Sequence, residues 1–536
     1  MANDSVRQGL YFVKGMMLKQ FTSLPNWVLF TLSGVLTVAA FPPSPLGFLA
    51  YFSLIPLIFL FIKEDFHMGF EKGFLFGVIL NLGIMYWLAA NKGTMWYWAT
   101  LSMISSVLFL AMNYGLIGLI IGVIGRKFGR DAGIWSFPVV WVAVEYIRSF
   151  GTMGFTWNHL CYTQSRATQL IQFASVIGSN GISFIIILIN VLIVMALIHR
   201  RDNWKKSFRY VSFILLGLFG LGVFGGFALN RANQADGRRK IHAALIQPNV
   251  DPNEKWERDS FEDVMQLLHD LTDSATVEPK DLIVWPESAT PTYLRRNRGK
   301  VLDRIIKHIS RLNVHLLTGT PDYEFHGSDD YSVYNSIFLL RPGTHKIEQY
   351  RKIKLVPFGE YIPLSEFFPE LGNLNLGQGN FDAGSEVTVF NIPLHVDAKA
   401  SIDTTLMVST VVCYESTFPY IIREGARKGS ELLVIVSNDA WFGYTSAPYL
   451  HMEISRFRAI ENRLPIVRSA NTGVSIMCDA YGRILAKADF DRKTWLTAEL
   501  EQGRNHTIYT RFGNWFGVLN VIVLFGILGA CLIRRK

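Results

Sequence analysis

Long apolar runs constrain this chain more than any other feature. They recur at about 27–40, 46–62, 74–90, 98–124, 132–147, 170–198 and 210–229, and an eighth closes the chain at 515–533. Most are long enough to cross a hydrocarbon core as a helix, although 27–40 and 132–147 are short. No comparable run occurs between 237 and 510. A soluble protein of 536 residues would not carry 50% hydrophobic and only 18% charged residues in this arrangement. The expectation is a polytopic helical bundle over 1–230, a polar domain over 237–510, and an eighth transmembrane helix with a short tail over 511–536. The Pro42-Pro43-Ser44-Pro45 turn and the further spans behind the first argue against a cleaved leader.

Basic residues set the orientation. Arg7, Lys14 and Lys19, then Lys63 and Lys72, Arg126, Lys127 and Arg130, Arg200 to Arg209, and Arg534 to Lys536 fall on one set of loops. The alternate loops hold mainly Lys92 and Arg166, with Arg148 at a helix end. Both termini are therefore expected in the cytoplasm and 237–510 on the opposite side. The net charge of +9 belongs to these flanks and does not imply nucleic-acid binding. Glu145 and Arg148 stand i, i+3 and can pair. Trp157 and its neighbours in the next outer loop read as an aromatic interface belt.

The four cysteines, Cys161, Cys413, Cys478 and Cys531, follow no paired spacing. No CxxC, HExxH or GxxxxGK[ST] occurs, so neither a disulfide framework, a zinc site nor a phosphate loop is expected. The GxGxxG at Gly220 to Gly225 lies inside an apolar run and reads as helix packing. From 237 to 510, short β-rich runs alternate with helical patterns. Strands are expected at 241–247, 281–287, 315–320, 336–340, 406–413, 432–438, 465–470, 474–478 and 495–500, and helices at 259–273, 300–312, 418–428 and 448–462. That alternation predicts one layered α/β domain with its chemistry at strand ends.

Three such ends are notable. Glu287 closes Leu282-Ile283-Val284-Trp285-Pro286-Glu287, and Cys413 ends the Val- and Thr-rich run from Leu406. Lys352 sits in Tyr350-Arg351-Lys352-Ile353-Lys354-Leu355-Val356-Pro357-Phe358-Gly359-Glu360. A thiol, a carboxylate and an ammonium together meet the needs of acyl transfer: nucleophile, proton acceptor and oxyanion partner. A strand-to-helix turn at Cys413 would place the sulfur at the positive end of a helix dipole, which favours thiolate. Taken singly, each residue is better explained as a surface or ion-pair group, and spacing alone does not show that the three converge.

Glu287 in WPES, Lys352 in YRKIKLVPFGE and Cys413 in VVCYES resemble the Glu-Lys-Cys triad of the nitrilase, or carbon–nitrogen hydrolase, superfamily. The wider pattern resembles its membrane branch, the bacterial apolipoprotein N-acyltransferases: QPNVDPNEKW from Gln247, SNDAWF from Ser437, RFRAIE from Arg456, RSANTG from Arg468, and AFPP, WVAVEYIRS and GFTWNHLCYTQ in the bundle. The resemblance implies an αββα sandwich in the periplasm on an inner-membrane bundle, and it implies no cofactor. It implies transfer of an acyl chain from a phospholipid, typically phosphatidylethanolamine, through a Cys413 thioester to the α-amine of a diacylglyceryl-cysteine apolipoprotein. Glu287 would be the base, Lys352 the oxyanion partner and Glu360 a supporting carboxylate. Trp256, Tyr414, Glu415, Asn438 and Trp441 match positions around the pocket. In a strand, Lys354 would face the same side as Lys352, and the spacing of Lys352 to Glu360 favours Lys352. After WFG this chain has Ala447-Pro448-Tyr449-Leu450-His451 where the family has a Gly-Pro pair and a Gln before the His. The alternative is a membrane-anchored nitrilase-like amidase with water as acceptor, for which one span would suffice.

The stretch 361–384 is Pro- and Gly-interrupted yet carries Phe367, Phe368, Leu371, Leu374 and Leu376. It is expected to be a mobile lid that rests on the bundle or the bilayer surface beside Cys413, the alternative being that these side chains cover the domain's own core.

Overall fold

A computed structural model of the chain describes residues 23–234, 238–257, 259–295, 300–327, 330–363, 380–394, 405–503 and 507–534. Most of the expected lid, including Phe367 and Phe368, lies outside the described residues.

Each apolar run is helical. The first forms α1 (Asn26–Ala40). The second is broken into a turn and α2 (Ile55–Lys63). There follow α3 (Gly69–Met85), α4 (Trp96–Phe128), α5 (Arg130–Ile147), α6 (Ala174–His199) and α7 (Trp204–Asn233). Among the described residues, five helical stretches are long and apolar enough to cross a membrane: Gly69–Ala90, Trp96–Phe128, Leu170–His199, Trp204–Asn233 and Trp515–Ile533. The stretches Asn26–Ala40 and Gly47–Lys63 are shorter, and α5 carries Arg130, Asp131 and Glu145. Helices α3 and α4 pack through glycine: a Cβ on Gly73 would stand 2.1 Å from the Tyr114 carbonyl oxygen. Only a bare backbone allows that approach. The GxGxxG lies in α7, where a Cβ on Gly225 would meet the Gln169 carbonyl oxygen at 1.9 Å, so its last glycine serves helix packing. Helix α7 otherwise shows Phe213, Phe219 and Phe227 outward, as a lipid-facing helix does.

Two six-stranded sheets form the polar domain. The first contains β1 (Lys240–Gln247), β2 (Leu282–Trp285), β3 (His315–Phe325), β4 (Tyr331–Leu340) and β5 (Ile347–Arg351). The second contains β6 (Val389–Pro393), β7 (Thr405–Val412), β8 (Leu432–Ser437), β9 (Ile466–Ala470), β10 (Ser475–Cys478) and β11 (Ile484–Ala488). Strand β12 (Thr494–Glu501) returns to pair antiparallel with β1. The centre of each sheet is parallel, β1-β2-β3 in one and β7-β8-β9 in the other. The inner faces pack on each other through Leu245, Val284, Leu317, Val412 and Val434 among others. These strands read as continuous apolar runs because both faces are covered.

Helices α8 (Phe261–Ala275) and α9 (Val301–Leu312) cover the first sheet with Val264, Met265, Leu268, Ile305 and Ile309. The second sheet is covered by α10 (Pro419–Arg427) and α11 (Ala447–Asn462). Their apolar side chains belong to the same buried cluster as the membrane helices. The final helix, α12 (Trp515–Ile533), rejoins the bundle.

Candidate active site

Glu287 follows the C-terminal end of β2. The parallel pairing sets Trp285 opposite Thr318, so the next residue of β3, Gly319, runs directly under the turn. Its N–H donates to the Pro286 carbonyl (3.2 Å), and its carbonyl accepts from Ala289 N–H (2.8 Å). Ser288 adopts a left-handed φ of 47°. The buried Lys255 donates from Nζ to the Ser288 carbonyl.

Lys352 follows β5, and its N–H donates to the Asn335 carbonyl at 2.9 Å. Its ammonium lies 2.8 Å and 2.7 Å from the two oxygens of Glu360. Asn335 joins this pair to the first carboxylate. Its Nδ2 donates to Glu287 Oε1 (2.7 Å) and Glu360 Oε1 (3.0 Å). Lys354 does not share the face of Lys352, because the strand has ended at Arg351. Its Nζ donates to the Gly151 and Thr152 carbonyls of the membrane half, at 2.5 and 3.1 Å.

Cys413 directly follows β7 with a left-handed φ of 49°. A short 3-10 turn, Cys413–Thr417, carries the chain to α10. Glu415 holds the turn from within. Its Oε2 accepts from Val412 N–H (2.7 Å), and its Oε1 accepts from Tyr350 O–H (2.7 Å), Ile353 N–H (2.6 Å) and Lys354 N–H (3.0 Å). One buried carboxylate thereby ties the Cys413 turn to the Lys352 loop. Tyr414 points the other way, donating to the Gly154 carbonyl of the membrane half at 2.9 Å. Asn438 Oδ1 accepts from Ala440 N–H and Asn471 Nδ2, both at 3.3 Å. The Trp441 carbonyl accepts from Lys92 N–H at 3.0 Å. Trp256 is 50% exposed, beside the buried Lys255.

Electrostatics assign distinct states to these groups. Burial raises the Glu287 pKa to about 7, with Lys352 opposing and Glu360 and Asp439 adding to it. Burial disfavours the Lys352 ammonium, but the Glu360 and Glu287 carboxylates outweigh it and hold the pKa above its ordinary value. Burial, and then the Glu287 charge, push the Cys413 thiol well up. The helix-dipole expectation of a resting thiolate is thus corrected. The α-helix begins only at Pro419, and the Glu287 and Asp439 carboxylates oppose a negative sulfur. Burial lowers Lys255 to about 8 against the pull of Glu287.

A second buried network lies beneath Cys413. His451 Nδ1 stands 3.0 Å from Asp439 Oδ1, and Asp439 Oδ2 accepts from Arg468 Nη2 at 2.7 Å. Arg468 and His451 overcome the cost of burial and hold Asp439 at about 2. The Cys413 sulfur, Asp439 and His451 offer atoms within 4.8 Å of one another. By type the three could bind a metal, but Asp439 and His451 are already engaged in these hydrogen bonds.

The membrane half corrects two further expectations. Trp157 is buried rather than in a belt, packing between Trp87 and His451 at 4.9 and 5.0 Å between ring centroids. Glu145 accepts from Leu160 N–H (2.9 Å) and Asn180 Nδ2 (3.2 Å), while the Arg148 guanidinium lies over the Tyr114 ring. The helical i, i+3 spacing therefore does not decide their partners.

Asn335, Lys255, Asp439, His451 and Arg468 were given no role from sequence. Asp439 and Arg468 stand inside quoted motifs, and His451 in the departure after WFG. For Asn335, Asp439 and Arg468 the signal was a charged or amide side chain in a strand or just past its end; Lys255 in a turn and His451 on a helix carried no such mark.

A two-sheet sandwich with a thiol, a carboxylate and an ammonium at its strand ends defines a carbon–nitrogen hydrolase type of domain. The carbon-nitrogen hydrolase family matches residues 242–507, and the apolipoprotein N-acyltransferase N-terminal domain matches residues 33–192. An apolipoprotein N-acyltransferase of Geobacter metallireducens is 34% identical over 528 residues, covering 97% of this chain and 98% of its own. One from Chlorobaculum tepidum is 30% identical over 509 residues, covering 89% and 91%. A solved carbon-nitrogen hydrolase from Helicobacter pylori aligns with a TM-score of 0.36 at 18% identity, over 56% of this chain and 96% of that one. The chain belongs to the apolipoprotein N-acyltransferase family.

Proposed function

We propose that this membrane enzyme N-acylates lipoproteins in two steps through a thioester on Cys413, with Glu287 as base and Lys352 as oxyanion partner. Glu287 takes the thiol proton, and sulfur attacks an ester carbonyl of the phospholipid, for which phosphatidylethanolamine is our expected donor. The Lys352 ammonium faces the oxyanion that develops. Collapse breaks the ester bond, and the leaving alkoxide takes the proton back from Glu287, giving a lysophospholipid. The α-amine of a diacylglyceryl-cysteine N-terminus then attacks the thioester. Its proton passes through Glu287 to the departing sulfur, and the amide is formed. Trp256, Glu360, Tyr414, Glu415, Asn438 and Trp441 support the site.

The observation that carries this reading is the mutual setting of ionisation at the three groups. A thiol whose pKa is raised needs a base, and Glu287 at about 7 is a carboxylate poised for that exchange near neutrality. A lysine held protonated suits a developing anion. The amidase alternative is less well supported, because the second sheet's helix layer is buried in one cluster with the bundle. Residues 1–230 and 511–536 form the membrane part in the bacterial inner membrane in this reading. Residues 237–510 form the periplasmic domain, and both termini are cytoplasmic. The test is incubation of the purified protein with acyl-labelled phospholipid and a diacylglyceryl peptide. Hydroxylamine-sensitive label should sit on Cys413 alone, be lost in Cys413→Ala, and pass to the peptide amine. Label persisting in Cys413→Ala, or release of free fatty acid in place of transfer, would overturn the reading.

A further inference from the structure

We propose that His451 is a positioning residue for Cys413 and that Trp157, from the membrane half, braces it. The proposal rests on Cys413 being the nucleophile. A left-handed backbone at a non-glycine residue is strained and persists only where the surroundings hold it. Beside the Glu415 bonds, they hold it at the Cys413 carbonyl. The Cys413 carbonyl oxygen accepts from Ser416 Oγ–H at 2.7 Å and faces His451 Nε2 at 3.0 Å. Ser416 Oγ and His451 Nε2 are themselves 2.8 Å apart. On the other side of the ring, Nδ1 meets Asp439, which Arg468 (2.7 Å) and Ser437 Oγ (3.0 Å) hold in turn.

Both ring nitrogens are therefore engaged, one by a carboxylate and one by the carbonyl and hydroxyl of the Cys413 turn. The imidazole holds the backbone of the nucleophile and leaves the thiol proton to Glu287. The ring cannot swing away, because it is fully buried and Trp157 packs on it at 5.0 Å with a 37° tilt. Trp157 is backed by Trp87 of the bundle, 4.9 Å away. Two more bonds join the same outer loop to the same turn: Thr156 Oγ1 to Thr417 Oγ1 at 2.8 Å, and Tyr414 O–H to the Gly154 carbonyl at 2.9 Å. The membrane half thus supplies one wall of the support under the nucleophile, and acylation depends on the contact between the two halves.

The test uses the full-length protein in phospholipid nanodiscs, with single-turnover thioester formation from labelled phosphatidylethanolamine as readout. His451→Phe keeps the stacking on Trp157 but loses both nitrogens, and should slow acylation by about 10²-fold, the usual effect of a displacement near 1 Å. The apparent KM for phospholipid should not change. His451→Gln, whose amide can still reach the Cys413 carbonyl and Ser416 Oγ, should recover most of the rate with an unshifted pH profile. Trp157→Ala should slow acylation and Trp157→Phe restore it, which carries the test if the His451 variants do not fold. Full-rate acylation by His451→Phe, or by Trp157→Ala, would overturn the proposal. Failure of His451→Gln to rescue together with a shifted pH profile would also overturn it, by making His451 a proton carrier. Loss of the nucleophile reading itself would show separately, as label persisting in Cys413→Ala.

Discussion

Gly319→Ala is the sharpest test of how Glu287 is held. A Cβ at Gly319 would stand 2.6 Å from the Glu287 Cα, 2.6 Å from the Pro286 carbonyl oxygen and 2.8 Å from the Ser288 nitrogen. All three are backbone atoms, so no side chain can rotate away. Ordinary contact begins near 3.4 Å, and the turn must therefore lift by about 0.8 Å. The two hydrogen bonds between Gly319 and the turn would stretch with it. Glu287 would move relative to Asn335 and Cys413, and a misplacement near 1 Å costs about 10²-fold in rate. Overpacking of this kind also costs about 1–3 kcal/mol in stability. The assay is single-turnover thioester formation on Cys413, with thermal unfolding measured alongside. Gly217→Ala is the control, since a Cβ there meets nothing within 4 Å. An unchanged acylation rate in a folded Gly319→Ala protein would refute the claim that close backbone approach fixes the base.

With Glu287 as the proposed base and its pKa raised, acylation should rise with pH through about 7 and be lost below it as the carboxyl protonates; Glu287→Gln should remove that limb and slow the step by roughly 10²–10⁴. Lys255→Met removes a neighbouring positive charge that favours the Glu287 carboxylate, so the limb should move to higher pH, as a rate–pH profile would read. Lys352→Met should cost at least about 10²-fold in acylation. Lys354→Met, which loses bonds to the Gly151 and Thr152 carbonyls, should act on stability of the joined halves and spare the chemistry. A reporter inserted within 200–206 should read as cytoplasmic and one near Ser328 as periplasmic; the reverse would overturn the orientation drawn from basic loops.

Much of this architecture was legible where one physical signal dominates. Among the described residues, apolar length gave the long helices of the bundle, and continuous Val, Ile and Leu runs gave the central strands of both sheets. Three strands were missed: β5 (IEQYR), β6 (VFNIP) and β11 (ILAKA). All are short and of mixed polarity, so neither alternation nor an apolar run marks them. Missing β5 led to the error over Lys354, since the position where the strand ends decides which lysine turns inward. Asn335 escaped because the fourth strand was read from residue 336, although β4 begins at Tyr331. Trp157 was misread because a tryptophan near a membrane boundary is equally at home in lipid headgroups or under a docked domain. Only the partner surface decides, and that surface is 294 residues away at His451.

The same distance explains why α11 defeats reading by periodicity. It carries Glu453, Arg456, Arg458 and Glu461, a composition that suggests a solvated helix, yet nearly all of it is buried. Arg456 pairs with Glu453 (2.7 Å) and Arg458 with Glu461 (3.1 Å), so each charge enters the interior with its counter-charge one turn away. Glu461 also accepts from Ser179 N–H of α6 at 2.9 Å. Removing one partner would leave a buried charge unpaired, which is far costlier than the pair itself. The bonds these side chains send across to the membrane half, Glu461 to Ser179 N–H and Arg456 Nη2 to Thr168 Oγ1 at 2.7 Å, resist sliding of the sandwich on the bundle, which a purely apolar contact would permit. That rigidity is what a nucleophile supported from both halves requires: His451 sits on this helix, two residues before Glu453, and the Cys413 carbonyl faces its ring.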